Sequence, residues 1–294
     1  MAATVIQPAS PEQPASPIQA IVPRRSRVGA VARWWPAVLV AIWAILIVFP
    51  QVLARQNPYA LNPVHALLPP SAAHWFGTDE AGRDVFARCV YGIRYSVGIS
   101  VAVVFIAAAI GSVLGGLAGL GNKLADNLVM RTTDVFLAFP YMILAIAIAA
   151  AEGPGLTTVL IALTAVWWPS YARLVRGQIL ALRELPFVEG ARAVNTPLRQ
   201  IFVRHMLPHL APQLYARIAI DIGYAILALT GLSFLGLGAQ PPTPELGAII
   251  ADARNYTLQA WWYATLPGLF ILAAVVSAIV IGNRLERAAG GTPA

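Results

Sequence analysis

Residues 96–120 read SVGISVAVVFIAAAIGSVLGGLAGL, a run without a single charged side chain. A helix needs about 20 consecutive apolar residues to cross a hydrocarbon core of about 30 Å, and this stretch exceeds that length. It lacks the strict alternation of a barrel strand, and lipid offers no partner to an open backbone, so the run reads as a helix. Further apolar runs stand at residues 34–53, 135–151, 156–172, 214–236 and 262–282. The fold expected is therefore an all-α integral membrane protein with six transmembrane helices. Composition agrees, since 58% of the 294 residues are hydrophobic and 11% are charged, with a mean hydropathy of +0.69. Gly111, Gly115 and Gly119 recur every fourth residue, which places them on one face of the helix where another backbone can approach closely. Trp167, Trp168, Trp261 and Trp262 fall at the expected span ends, where aromatic rings favour the membrane interface.

A net charge of +7 would suit a nucleic-acid partner, but the basic residues are interleaved with the spans instead of forming one patch, which excludes that class. Their placement carries topology. With a cytoplasmic N-terminus, the inner segments hold Arg24, Arg25, Arg27, Arg33, Lys123, Arg131, Arg173, Arg176, Arg183, Arg192, Arg199, Arg204, Arg217, Arg284 and Arg287, and the outer ones only Arg55, Arg83, Arg88, Arg94 and Arg254. The positive-inside rule then puts both termini in the cytoplasm. Residues 7–17, QPASPEQPASP, lack apolar side chains large enough to offset the entropy of ordering and read as a disordered tail. Val52-Leu53-Ala54 after a basic cluster and an apolar run imitates a leader cleavage site. We read it as uncleaved, because the run is long for a leader and its removal would leave the termini on opposite sides.

The segment between the fourth and fifth spans, residues 182–212, reads LRELPFVEGARAVNTPLRQIFVRHMLPHLAP. It is too polar to cross a membrane and too basic to lie outside. Pro186 and Pro197 predict two short helices, since proline suits a first turn and the residue before it resists the α conformation. Asn195 then stands at the corner between them. Glu189, Gly190, Ala191 and Ala193 give the first helix a small-residue face able to enter a cleft, and Arg192 and Arg199 supply charge for orientation.

At this segment the sequence resembles a known family. Glu189-Gly190-Ala191-Arg192-Ala193-Val194-Asn195 with Leu207-Pro208 is similar to the coupling-loop motif of ATP-binding cassette importer permeases. Three further blocks narrow the resemblance to the oligopeptide, dipeptide and nickel class, in the subunit type with an additional N-terminal transmembrane segment: Phe76-Gly77-Thr78-Asp79 with Gly82-Arg83-Asp84; Tyr171-Ala172-Arg173-Leu174-Val175-Arg176; and Leu232-Ser233-Phe234-Leu235-Gly236-Leu237-Gly238 with Gln240-Pro241-Pro242-Thr243-Pro244. The resemblance implies a permease of the bacterial inner membrane that moves peptides or related small solutes. The alternative is a secondary transporter driven by an ion gradient. It also implies a second permease subunit, an extracytoplasmic solute-binding protein, and two cytoplasmic ATPases that use ATP and Mg, with the helix Glu189 to Asn195 seated on an ATPase. Lipid surrounds the spans, and this chain itself is expected to be no enzyme and to bind no cofactor or metal. The layout that follows is a basic cytoplasmic tail at 1–33, a transmembrane helix and extracytoplasmic segment at 34–95, the permease domain at 96–282 and a cytoplasmic tail at 283–294.

The sequence departs from the family's pattern in places. The corner residue is commonly glycine there and is Asn195 here, the next most tolerant residue in the left-handed region. Gly190 replaces an alanine, and Leu229 stands where an acid is frequent. Arg217 and Asp221, one turn apart near the cytoplasmic end of the fifth span, read either as a transport-path pair or as a self-neutralising pair with Arg217 reaching toward the interface. No phosphate-binding G-x-x-x-x-G-K-[ST] run is present, so energy must come from a partner. His205 and His209 have Pro208 between them and no third ligand, which argues against a metal site. Asp79 and Asp84 flank Arg83 and read as ion-pairing and capping groups before the second span instead of an acid–base couple.

Overall fold

The structure, a computed structural model, describes residues 31–290. They fall into two units divided between Trp35 and Pro36, the first contributing only the opening of the first helix. Most of the tail expected at 1–33 thus lies outside the described residues. From Pro36 onward the chain is helical, with no strand among the described residues. In chain order the elements are α1 (Val31–Val48), α2 (Pro50–Leu53), α3 (Val85–Leu120), α4 (Lys123–Leu137), α5 (Tyr141–Glu152), α6 (Leu156–Arg183), α7 (Pro186–Ala193), α8 (Leu198–Ile201), α9 (Leu207–Phe234), α10 (Leu246–Ala253) and α11 (Trp261–Gly290).

Four helical stretches among the described residues are long and apolar enough to cross a membrane: Val85–Leu120, Leu156–Arg183, Phe202–Phe234 and Trp261–Arg287. Six spans were expected, and one of them is corrected. Residues 135–151 do not form one helix, because α4 and α5 meet at an 87° bend. Pro140 causes it by lacking an N–H and by driving the preceding residue out of the α region. Its carbonyl then accepts the Leu144 N–H at 3.1 Å and starts α5. Counted together, the bent pair makes a fifth span. α1 overlaps the first expected span, 34–53, and the count of six is not reached among the described residues.

Helices in lipid gain little from hydrophobic burial against one another, so close backbone approach has to hold them. α3 and α6 make the most extensive pair, through the three glycines. A Cβ at Gly111 would stand 2.5 Å from the Trp168 carbonyl, one at Gly115 would collide with the Ala172 carbonyl, and one at Gly119 would lie 2.8 Å from Ile179. α9 and α11 use the same device, with Gly282 against Ile220. Val104, Ala145, Leu163, Trp168 and Leu229 fill the core between α3, α5, α6 and α9. Leu46, Cys89, Ile93, Leu246 and Tyr263 fill a second core at the other end of α3.

Three of the four tryptophans require correction. Trp167, Trp168 and Trp262 are buried, and only Trp261 is exposed. Because α6 runs on to Arg183, Trp167 and Trp168 sit mid-helix, where they pack edge-on against Tyr141 and Phe136. The helix passes the end expected at residue 172, and the two arginines beyond it both find acids on α4: Arg173 reaches Asp134 at 2.5 Å and Arg176 grips Asp126 with two nitrogens.

Candidate functional site

The polar insertion folds as two short helices set against the bundle. Val188 of α7, Ile201 of α8 and Met206 are buried with Val175 and Ile179 of α6 and Leu210 of α9. Arg183, the last residue of α6, donates to the Gly119 carbonyl at 2.8 Å, tying the end of α3 to the same corner. Between α8 and α9 the helix widens to a π turn over Phe202–Met206. Pro208 follows, and its ring would press on the Arg204 carbonyl of a regular helix, so the wider turn accommodates it.

α7 ends at the expected corner. Asn195 has φ of +58°, and the Thr196 N–H reaches back to the Ala191 carbonyl at 3.1 Å. This is the closure that a residue in the left-handed region permits, and it satisfies a carbonyl that helix ends leave open. The substitution of asparagine for glycine is thereby absorbed. Around α7, Val188 faces inward while Glu189, Gly190, Ala193 and Val194 face out. Val194 is 75% exposed, and a Cβ on Gly190 would meet nothing within 4 Å. Ala191 is half-buried. Arg192 belongs to the helix, but its side chain and that of Arg199 lie outside the described ones. Glu189 sits in the first turn of α7, where a negative charge complements the helix dipole. The result is a short, anchored helix that offers one charged, one bare and two apolar positions to solvent.

Arg217 and Asp221 are brought together on α9, Nε to Oδ2 at 2.9 Å, with the arginine half exposed and the aspartate buried. The Tyr171 hydroxyl lies beside the same carboxylate. Leu229 is fully buried in the core. His209 bonds to the His205 carbonyl at 2.7 Å and stacks on Phe187.

The opposite end of α3 carries a second polar constellation that sequence reasoning saw only in part. Asp84 caps α3 by accepting the Ala87 N–H at 2.6 Å and bonds His74 at 2.9 Å. Asp79 is fully buried, accepts the backbone N–H of Ala81 and Arg83 and pairs with the Arg83 Nε at 2.5 Å. Capping and ion pairing account for both aspartates, as expected. The sequence did not reveal that Arg88, on the first turns of α3, is buried behind them. Its nearest acids are loose, Asp79 at 3.6 Å and Asp252 of α10 at 3.9 Å. Glu80 accepts from Arg83 at 2.8 Å and from the Tyr263 hydroxyl at 2.5 Å. Burial and the charge of Glu80 push the Asp252 carboxyl above the usual carboxylate range, against the opposing pull of Arg88 and Arg83. On the same side, buried Glu245 caps α10 through the Ala248 N–H and accepts from Ser96 at 2.8 Å.

Residues 111–290 match the family described as binding-protein-dependent transport system inner membrane component. The chain is 41% identical over 250 residues to a probable D,D-dipeptide transport system permease of Escherichia coli (strain K12), covering 85% of this chain and 84% of that protein. It is 38% identical over 251 residues to a dipeptide transport system permease of Alkalihalophilus pseudofirmus, covering 85% and 83%. Among solved structures the fold resembles an inward-facing form of the MetNI methionine ABC transporter, with a TM-score of 0.57 at 21% identity over 69% of this chain and 96% of that one. The likeness covers the helical core, and nothing in it favours a transporter driven by an ion gradient. The chain belongs to the inner membrane components of binding-protein-dependent transport systems and is a permease subunit of an ATP-binding cassette importer.

Proposed function

We propose that this chain forms one half of the translocation path of a di- or oligopeptide importer and receives its energy through α7. The observation that carries the reading is α7 itself: anchored inside by Val188, closed by Asn195, and presenting Glu189, Gly190 and Val194 outward. A partner seated on such a helix moves the ends of α3, α6 and α9 with it, because all three meet at its root. Closure of the partner ATPases on ATP and Mg would then shift the bundle between its two access states. The chain's relatives are named for dipeptides, which makes short peptides the first cargo to test. The remaining parts of the assembly follow from the family: a second permease subunit, two cytoplasmic ATPases that hydrolyse the nucleotide, and an extracytoplasmic binding protein that delivers the ligand. Both termini and α7 then face the cytoplasm, the side that the charge distribution favours, and the Arg88 end of α3 faces outward.

The test is uptake of a labelled dipeptide into proteoliposomes that contain all subunits and the binding protein. ATP-dependent accumulation supports the reading. Uptake driven by an imposed proton or sodium gradient without ATP contradicts it.

A further inference from the structure

The constellation at the outward end of α3 borders two adjoining cavities. The smaller, of about 130 Å³, is lined by Arg88, Ser233, Gln240, Thr243 and Asp252. The larger, of about 350 Å³, is lined by Glu80, Asp252, Asn255 and Tyr256 among others, within the range of roughly 300–1,000 Å³ common for small-ligand sites. Asp252, Gly236 and Ala251 line both. The walls differ in kind. In the smaller cavity Arg88 is 2% exposed, and its Nε and Nη1, like the Ser233 hydroxyl, have no hydrogen-bond partner. A buried guanidinium with idle donors costs free energy until an acceptor arrives, and carboxylates and phosphates are the anionic acceptors that match it, of which a peptide brings the first. Gln240 does not fill that role, because its amide donates to the carbonyls of Gly236 and Gly238 and closes the loop that walls the cavity. In the larger cavity, which Arg254 also lines, the side chains of Glu80 and Asp252 remain 28% and 35% exposed and bring two acids together, Glu80 already bonded to Arg83 and Tyr263.

Resting on the reading of the chain as a peptide permease, we propose that the two cavities together form a reception site for the free termini of a short peptide. Arg88 and Ser233 hold the carboxylate, and Asp252 with Glu80 holds the ammonium. Opposite charges side by side suit a zwitterion and reject a ligand with either end capped, because the buried donors or the acids are then left unpaired. The cavities thus supply a second check on cargo after the binding protein releases it.

The experiment uses the assembled transporter in nanodiscs without its binding protein. A thiol is introduced by Thr243→Cys and alkylated with a maleimide, and the label on this chain is read by mass spectrometry; native Cys89 is fully buried. Labelling is timed with Ala-Ala, Ala-Ala amide or N-acetyl-Ala-Ala present. Ala-Ala at about ten times its Kd slows labelling about tenfold, by mass action, and both capped forms leave the rate unchanged. Adding Ser233→Ala or Arg88→Lys weakens the protection, and Ser233→Ala leaves the charged groups in place should the arginine variant fail to assemble. Equal protection by all three compounds, protection by none, or loss on one modification alone overturns the two-ended site. ATP-dependent uptake of Ala-Ala by the same preparation, with binding protein restored, tests the underlying reading separately: uptake without protection sinks only the site.

Discussion

The Thr196 backbone N–H donates to the Ala191 carbonyl at 3.1 Å, and the chain passes between them through Asn195 at φ +58°. That bond decides where α7 stops and which way its exposed face points. Asn195→Gly keeps the conformation without a Cβ penalty and is expected to leave uptake unchanged. Asn195→Val forces a β-branched residue into the left-handed region at a cost of about 1–2 kcal/mol, and the ATPase subunits should be recovered with the permease in reduced amount. The measurement is co-purification on a tag carried by this chain.

The glycine face of α3 separates structural from exposed glycines. Gly115→Val places side-chain atoms against the Ala172 carbonyl and is expected to cost about 1–3 kcal/mol or more, seen as a lower melting temperature and less chain in the membrane fraction. Gly116→Ala, whose added carbon would meet only Phe202 at 3.9 Å, should be recovered at the normal level. So should Gly190→Ala, where alanine favours the helix by up to about 1 kcal/mol.

The pair on α9 is asymmetric, with 48% of the Arg217 side chain exposed against 2% of Asp221. Arg217→Ala strands a buried carboxylate. Asp221→Asn leaves an arginine that can turn toward water. The first variant is therefore expected to be less stable than the second by about 1 kcal/mol or more, read from the thermal denaturation of the purified complex. Equal losses would show that the Tyr171 hydroxyl beside the carboxylate suffices to hold it.

Asp252 carries a stability penalty with a defined pH dependence. Its carboxyl is raised by burial and by Glu80, so the folded state holds the proton more tightly than the unfolded chain, whose value is about 3.9. The penalty is present at neutral pH, shrinks as the pH falls through the raised value, and is gone once both states are protonated. Asp252→Asn should stabilise the chain at pH 7 by less than about 1 kcal/mol, because the side chain is 35% exposed and screened, and so raise its melting temperature. The advantage should fade on acidification. An unchanged melting temperature across the range would remove the electrostatic account of this residue.

The sequence made the membrane character, the insertion and its corner legible, because apolar length, proline and the tolerance of asparagine for positive φ are local properties. What it hid depended on partners distant in the chain. Arg88 looked like a charge of an outer segment, yet α3 begins at Val85 with that arginine buried beside Asp79 and Asp252. The fourth helix likewise runs on past Arg173 and Arg176, whose acids on α4 could not be foreseen from spacing. The same extension moves Trp167 and Trp168 from interface to core. The bend at Pro140 was readable from proline, but the uninterrupted apolar letters around it concealed the break.

The docking role of α7 is tested most directly by replacing Glu189, which is exposed and outside the packed root of the helix. Uptake of a labelled dipeptide and recovery of the ATPase subunits are measured together for wild type, Glu189→Gln and Glu189→Lys in proteoliposomes with equal permease content. Loss of both signals with lysine and their partial retention with glutamine is the result predicted here. Full uptake and full recovery of the ATPases with Glu189→Lys would contradict it and leave the insertion as a loop that only fixes topology.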